Sequence, residues 1–370
     1  MTPNPSNKTM FPRIYLALDN CFASKRWAAP LEWMQIARDC DIHSIEASAD
    51  NECDPLYTPP DALAAWREAV LSATQATGVK VANLYSGHGT YATLGLAHPD
   101  SRVRDHIQHR WLEPMIDLAR SLDAGLGFFC HAFSQAILTD PAQYTAAVND
   151  LTRRLGELAA YARGVDLSSL SVEQMYTPHQ IPWTIAGAEQ IMREAFRQTG
   201  APLYITLDTG HQVGQQHFQR PSPLPSSPAP LPFAADSGER GEAKSHPYMF
   251  AQPEDGDLYA WLRRLRGYSP IIHLQQTDGT ESKHKPFSAA NNAKGIVEPK
   301  RVLQALYEAY ISPTLDGLPP RCESIYLTLE LFSATMDKPE SILNMIRESA
   351  AYWRQFIPHD GLTLDALIKA

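Results

Sequence analysis

The chain has 370 residues, 44% of them hydrophobic and 20% charged, an ordinary globular balance with ample apolar material for a core. A net charge of -9 and a sequence pI of about 5.8 argue against a nucleic-acid backbone or an anionic membrane as the main partner. The five cysteines (Cys21, Cys40, Cys53, Cys130 and Cys322) are odd in number, scattered and without a CxxC pair, so neither a disulfide framework nor a thiolate zinc site is indicated.

Residues 1–12 read as a polar, disordered tail without the apolar stretch of a signal peptide. No segment approaches the roughly 20 apolar residues of a membrane span, and a cytoplasmic protein is expected. Short apolar runs then predict strands at Arg13–Asp19, Ser44–Ser48, Lys80–Ser86, Gly125–His131, Ser169–Met175, Pro202–Asp208, Pro270–Gln276 and Ser324–Leu331. Amphipathic stretches alternate with them. One opens at Pro60–Asp61 and stops at Gly78, where a helix end wants positive φ. Another opens at Glu298–Pro299, and Asp337 with Glu340 has the form of a capping box for a helix reaching Phe356.

Between the sixth and seventh strands, residues 219–245 carry prolines at a density that excludes helix and ladder. This insert is expected to be a solvent loop rather than a lid. Residues 358–370 are expected to form a C-terminal tail. Strand followed by helix, eight times over, predicts a single (β/α)8 TIM barrel across residues 13–357. An open doubly wound sheet shares the alternation, but no GxGxxG follows the first strand.

A parallel barrel gathers the C-terminal ends of its strands on one face. Glu173, Asp208, His273 and Glu330 interrupt apolar runs on the fifth to eighth strands, one per strand. Any one of them alone is better read as a core or capping residue. Together, three carboxylates at one barrel end repel each other and lose hydration, which a cation relieves. Oxygen-rich ligation with one imidazole suits Mn2+, Mg2+ or Co2+ better than a structural zinc. By position, His88 after the third strand and His131 ending the fourth are candidate substrate contacts. Asp278 reads as a turn residue or a further group of the metal site, and His284, Lys285 and Phe287 as residues that line the pocket.

This ordered series resembles the metal centre of the xylose isomerase-like barrel superfamily, which includes sugar isomerases and ketose 3-epimerases. The resemblance implies one divalent metal held by Glu173, Asp208, His273 and Glu330. It also implies that Glu173 and Glu330 move the proton by way of an enediolate, or are ligands only where a hydride shift takes its place, and that His211 of Asp208-Thr-Gly-His211 binds substrate. The segment Tyr176-Thr-Pro-His-Gln-Ile-Pro-Trp-Thr184 is similar to one in D-apiose isomerases, which implies that His179 and Trp183 face the sugar. The expected activity is therefore aldose–ketose isomerisation of a small, unphosphorylated sugar, with ketose 3-epimerisation as the alternative. A metal-free binding barrel is the alternative of another class. Superfamily members are often dimers or tetramers, which leaves a homo-oligomer open.

Overall fold

The computed structural model describes residues 11–87, 93–220 and 246–369. The eight expected strands form: β1 (Arg13–Asp19), β2 (Ser44–Ser48), β3 (Lys80–Ser86), β4 (Gly125–Phe128), β5 (Leu170–Glu173), β6 (Tyr204–Asp208), β7 (Ile271–Leu274) and β8 (Ser324–Leu329). The first three have the expected bounds. The later ones are shorter, because residues such as His131, Met175 and Leu331 leave the ladder to build loops on the C-terminal face.

Every neighbour in the order β2-β3-β4-β5-β6-β7-β8-β1 is parallel, and β1 also pairs with β2 through Leu18↔Ile45 and Asp19↔Glu46, which closes the barrel. Between strands run helices such as Pro60–Thr77, which ends on Gly78 at φ 75, and Pro141–Gly164. Their apolar stripes cover the outside of the barrel, and β4, β5 and β7 are buried along their whole length. That is what a strand enclosed on both faces requires. Among the described residues no helix is long and apolar enough to cross a membrane.

Two expectations need correction. Asp337 does not cap the last long helix: Lys338 holds the cap position before Pro339, and Asp337 Oδ2 accepts instead from the Ala334 N–H at 2.6 Å. The carboxylate is already engaged by the preceding turn. Nor is the C-terminus a tail. Leu362–Thr363 form a ninth strand, β9, antiparallel to β1, and Leu364–Lys369 form a helix that buries Leu364 and Leu367. Asp360 anchors this return by accepting from Leu16 N–H at 2.9 Å and Arg354 Nη1 at 2.8 Å. Of the Pro-rich insert, residues 221–245 lie outside the described residues, as does the tail up to Met10.

Candidate active site

Glu173 and Asp208 close β5 and β6, His273 lies on β7, and Glu330 follows β8 directly. The β6–β7 register places Asp208 beside His273. All four side chains are buried. Parallel strands thus bring the four predicted residues to one end of the barrel. His273 Nδ1 lies 3.1 Å from Glu173 Oε1 and 3.5 Å from Glu330 Oε2. One donor atom each of Glu173, Asp208 and His273 lies within 4.8 Å of the others.

Each of these groups is held from behind. Asp208 Oδ1 accepts from the Gly210 and His211 N–H groups at 2.6 and 3.0 Å, and Gln275 Nε2 bonds both carboxylate oxygens at 2.9 and 3.0 Å. Gln275 is fixed in turn, because its Oε1 accepts from His284 N–H at 2.8 Å and from Ser282 Oγ at 3.2 Å. Gly210 is required by close approach: a Cβ there would sit 2.5 Å from Gln275 Cδ. Tyr85 Oη donates to Glu173 Oε2. His273 Nε2 lies 2.5 Å from Glu46 Oε1, which leaves Nδ1 facing Glu173 and Glu330 with a lone pair when Nε2 carries the hydrogen.

His211 Nδ1 bonds the Gln174 carbonyl at 2.7 Å, a contact that needs N–H on that side, and Nε2 is left 4.0 Å from Asp208 Oδ1. His284 sits at φ 49, stacks on Phe332 at 3.9 Å, and brings Nε2 to 3.2 Å from Glu330 Oε2. That ion pair is the nearest partner of Glu330 Oε2, a buried oxygen with no other bonded donor. Asp208, His211 and His284 make a second close trio. Outside it lies a cavity of about 240 Å³ lined by Tyr176, His211, His217, Ser282 and His284 among others.

The electrostatics follow from the crowding. Burial pushes Asp19 well above the usual carboxylate range, and Glu46 and Glu330 add to the rise. Burial also opposes ionisation of Asp208, but His211, His284, His273 and the Gln275 bond outweigh it and hold the carboxyl at about 2. Glu173 is likewise lowered against its burial by its bond to His273 and the charges of His211 and His273. For the imidazoles burial pulls downward, yet the carboxylates win. Glu330 and Glu46 hold His273 well above its ordinary value, and Glu330, Asp208 and Glu173 bring His284 to about 9. The site is a carboxylate cluster that attracts positive charge.

The other predicted contacts have partners on the surrounding loops. His131 is fully buried with Nε2 against the Ile181 carbonyl, and burial takes it down to about 4. His179 Nδ1 bonds the Phe133 carbonyl at 2.7 Å. Trp183 is buried against Phe218 and lines a separate cavity of about 710 Å³ between the helices Pro141–Gly164 and Ile185–Thr199. These three side chains thus pack against the strand ends and loops. His88 lies outside the described residues. Asp278 holds a turn, accepting from Thr280 N–H and Oγ1, and pairs with Lys285. Phe287 is core, edge-on to Trp353 at 5.3 Å, instead of a pocket wall. Asp19, Glu46, Tyr85 and Gln275 are not among the predicted residues; Asp19 ends an apolar run as Asp208 does, whereas Glu46 lies in a short, half-polar segment.

The chain resembles known proteins over most of its length. D-erythrulose 1-phosphate 3-epimerase of Brucella abortus (strain 2308) is 28% identical over 288 residues, 77% of this chain and 78% of that one. A Rhodospirillum rubrum protein assigned to the xylose isomerases superposes with a TM-score of 0.72 at 19% identity, over 92% of this chain and 99% of its own. D-psicose 3-epimerase of Clostridium cellulolyticum H10, solved with D-tagatose, gives 0.57 at 9% identity, over 92% and 98%. These two likenesses are of fold. The family model described as xylose isomerase-like TIM barrel matches residues 34–309. The chain belongs to the xylose isomerase-like TIM barrel family.

Proposed function

We propose that this protein is a divalent-metal-dependent 3-epimerase of a short ketose, with Glu173, Asp208, His273 and Glu330 holding the metal. The observation that carries the reading is the convergence of Glu173 Oε1, Glu330 Oε2 and His273 Nδ1. Both carboxylate oxygens lie within 3.5 Å of Nδ1, which bonds Glu173 while it carries a hydrogen and would offer a lone pair to a cation on losing it, and Glu330 Oε2 is held only by the nearby imidazoles. Such a lone-pair-lined end of a barrel fits Mn2+, Mg2+ or Co2+ by its donor set. Bound there, the cation supplies positive charge beside the sugar's carbonyl and hydroxyl oxygens, where negative charge develops when the neighbouring C–H is deprotonated.

The rest is the work of the chain's own residues. Glu173 and Glu330 stand on different strands with His273 between them, so one carboxylate removes the C3 proton and the other side returns one to the opposite face. Tyr85, donating to Glu173 Oε2, holds that carboxylate in place. His211 and His284 face the outer cavity and would bind the sugar's hydroxyls. Of the segment that favoured aldose–ketose isomerisation, Tyr176 lines the cavity beside His211, but His179 bonds the Phe133 carbonyl and Trp183 lines the other cavity, so epimerisation is preferred. The epimerase named among the relatives supports the same choice. Its substrate is phosphorylated, so phosphorylated and free tetruloses and pentuloses belong in one assay panel.

Solvent exchange tests the chemistry. Turnover of a ketose by the Mn2+-loaded protein in D2O is expected to place deuterium at C3 of the epimer. Epimer formed with only the original hydrogen at low conversion would rule against proton transfer through the two glutamates.

A further inference from the structure

Glu46 and Asn83 lie on β2 and β3, strands that supply none of the proposed ligands, yet both side chains are buried. An irregularity in the sheet brings them together. The β2–β3 register runs Ser44↔Lys80 and Ile45↔Val81, then jumps to Glu46↔Asn83, leaving Ala82 unpaired. A bulge of this kind re-aims the side chains beyond it. The adjoining strand makes room: a Cβ at Gly125 would meet Asn83 Oδ1 at 2.7 Å, and one at Gly127 would meet Asn83 Nδ2 at 3.2 Å. A bulge and two glycines thus serve a buried carboxylate and its amide partner.

Both oxygens of that carboxylate are engaged. Oε2 accepts from Asn83 Nδ2 at 3.0 Å, and Oε1 meets His273 Nε2 at 2.5 Å. Carboxylates accept at both ring nitrogens, but the Glu46 contact is the shorter one, 2.5 Å against 3.1 Å to Glu173, so an imidazole that gives up one hydrogen to bind a cation keeps the other on Nε2. Nδ1 then presents its lone pair toward Glu173 and Glu330. We propose that Glu46 is a positioning residue for the metal centre: held by Asn83, it fixes the tautomer and ring angle of His273 and so sets the affinity for the divalent cation. A carboxylate behind a ligating imidazole also makes the ring a stronger donor. This inference rests on the metal-dependent reading above.

The test is Mn2+ binding to the stripped wild-type protein, Glu46→Gln and Asn83→Ala, followed by the electron-paramagnetic-resonance signal of free Mn2+. The thermal midpoint of each protein is recorded with and without metal. Glu46→Gln is expected to raise the Mn2+ Kd about 10- to 100-fold, the usual loss for an outer partner of a ligand, while its metal-free midpoint stays at or above that of the wild type. Asn83→Ala is expected to shift Kd the same way by less. An unchanged Kd in Glu46→Gln, whether or not the metal-free midpoint falls, would reduce Glu46 to a structural role and overturn the inference. Should Glu46→Gln not fold, Asn83→Ala decides it by the same reading. If the wild type itself binds no Mn2+, the metal-dependent function fails and this inference with it. Equal binding by wild type and variant defeats the inference alone.

Discussion

Glu330→Gln is expected to lower turnover by about 10²- to 10⁴-fold, the range for losing a positioned proton-transfer group. The side chain is buried beside His273 and His284, and glutamine has nearly its shape. Packing is therefore retained and one of several crowded negative charges is removed, so the fold should survive. The loss should fall on kcat more than on KM, because the group acts on the proton while other residues bind the sugar. Steady-state kinetics together with a thermal melt would check both halves. A near-normal kcat in a folded variant would remove Glu330 from the chemistry and leave it, at most, a ligand.

Asp208→Asn is expected to weaken divalent-metal binding by more than about 100-fold, beyond the loss typical of an outer partner. It is also expected to destabilise the metal-free protein by about 1–3 kcal/mol, the cost of a buried unsatisfied donor. The reason lies in the fixed donors around the carboxylate. If the asparagine oxygen keeps the Gly210 and His211 N–H groups, its amide nitrogen must face Gln275 Nε2, donor against donor. Gln275 cannot turn over without setting its Nε2 against the His284 N–H, which now donates to its Oε1. A metal titration and a denaturant melt of the stripped protein measure the two effects separately. Unchanged affinity would place the metal elsewhere.

The barrel was legible because apolar runs of strand length recur between helical patterns, and closure follows from eight of them. Four residues of the site were legible for a related reason: Asp208 in Tyr-Ile-Thr-Leu-Asp and Glu330 after Tyr-Leu-Thr-Leu stand out against apolar neighbours. Asp19 in Arg-Ile-Tyr-Leu-Ala-Leu-Asp has the same form. Glu46 offered less contrast, because Ser-Ile-Glu-Ala-Ser is short and half polar, and its inward aim depends on a bulge that pairing with β3 reveals. Loop residues were the least legible. His179 and Trp183 follow β5 closely, but which way they face depends on the Phe133 carbonyl and on Phe218, partners that come from other parts of the chain. The return of the C-terminus was hidden by its shortness, since Leu362–Thr363 is too brief a strand to show a period.

The most direct test of metal-dependent epimerisation is to strip the protein with chelator, return Mn2+, Mg2+ or Co2+ one at a time, and follow free and phosphorylated short ketoses for change of configuration at C3. The account predicts no conversion in the stripped protein and conversion between 3-epimers when a divalent cation is restored. Full activity without metal, or failure to bind any of the three cations, would contradict it.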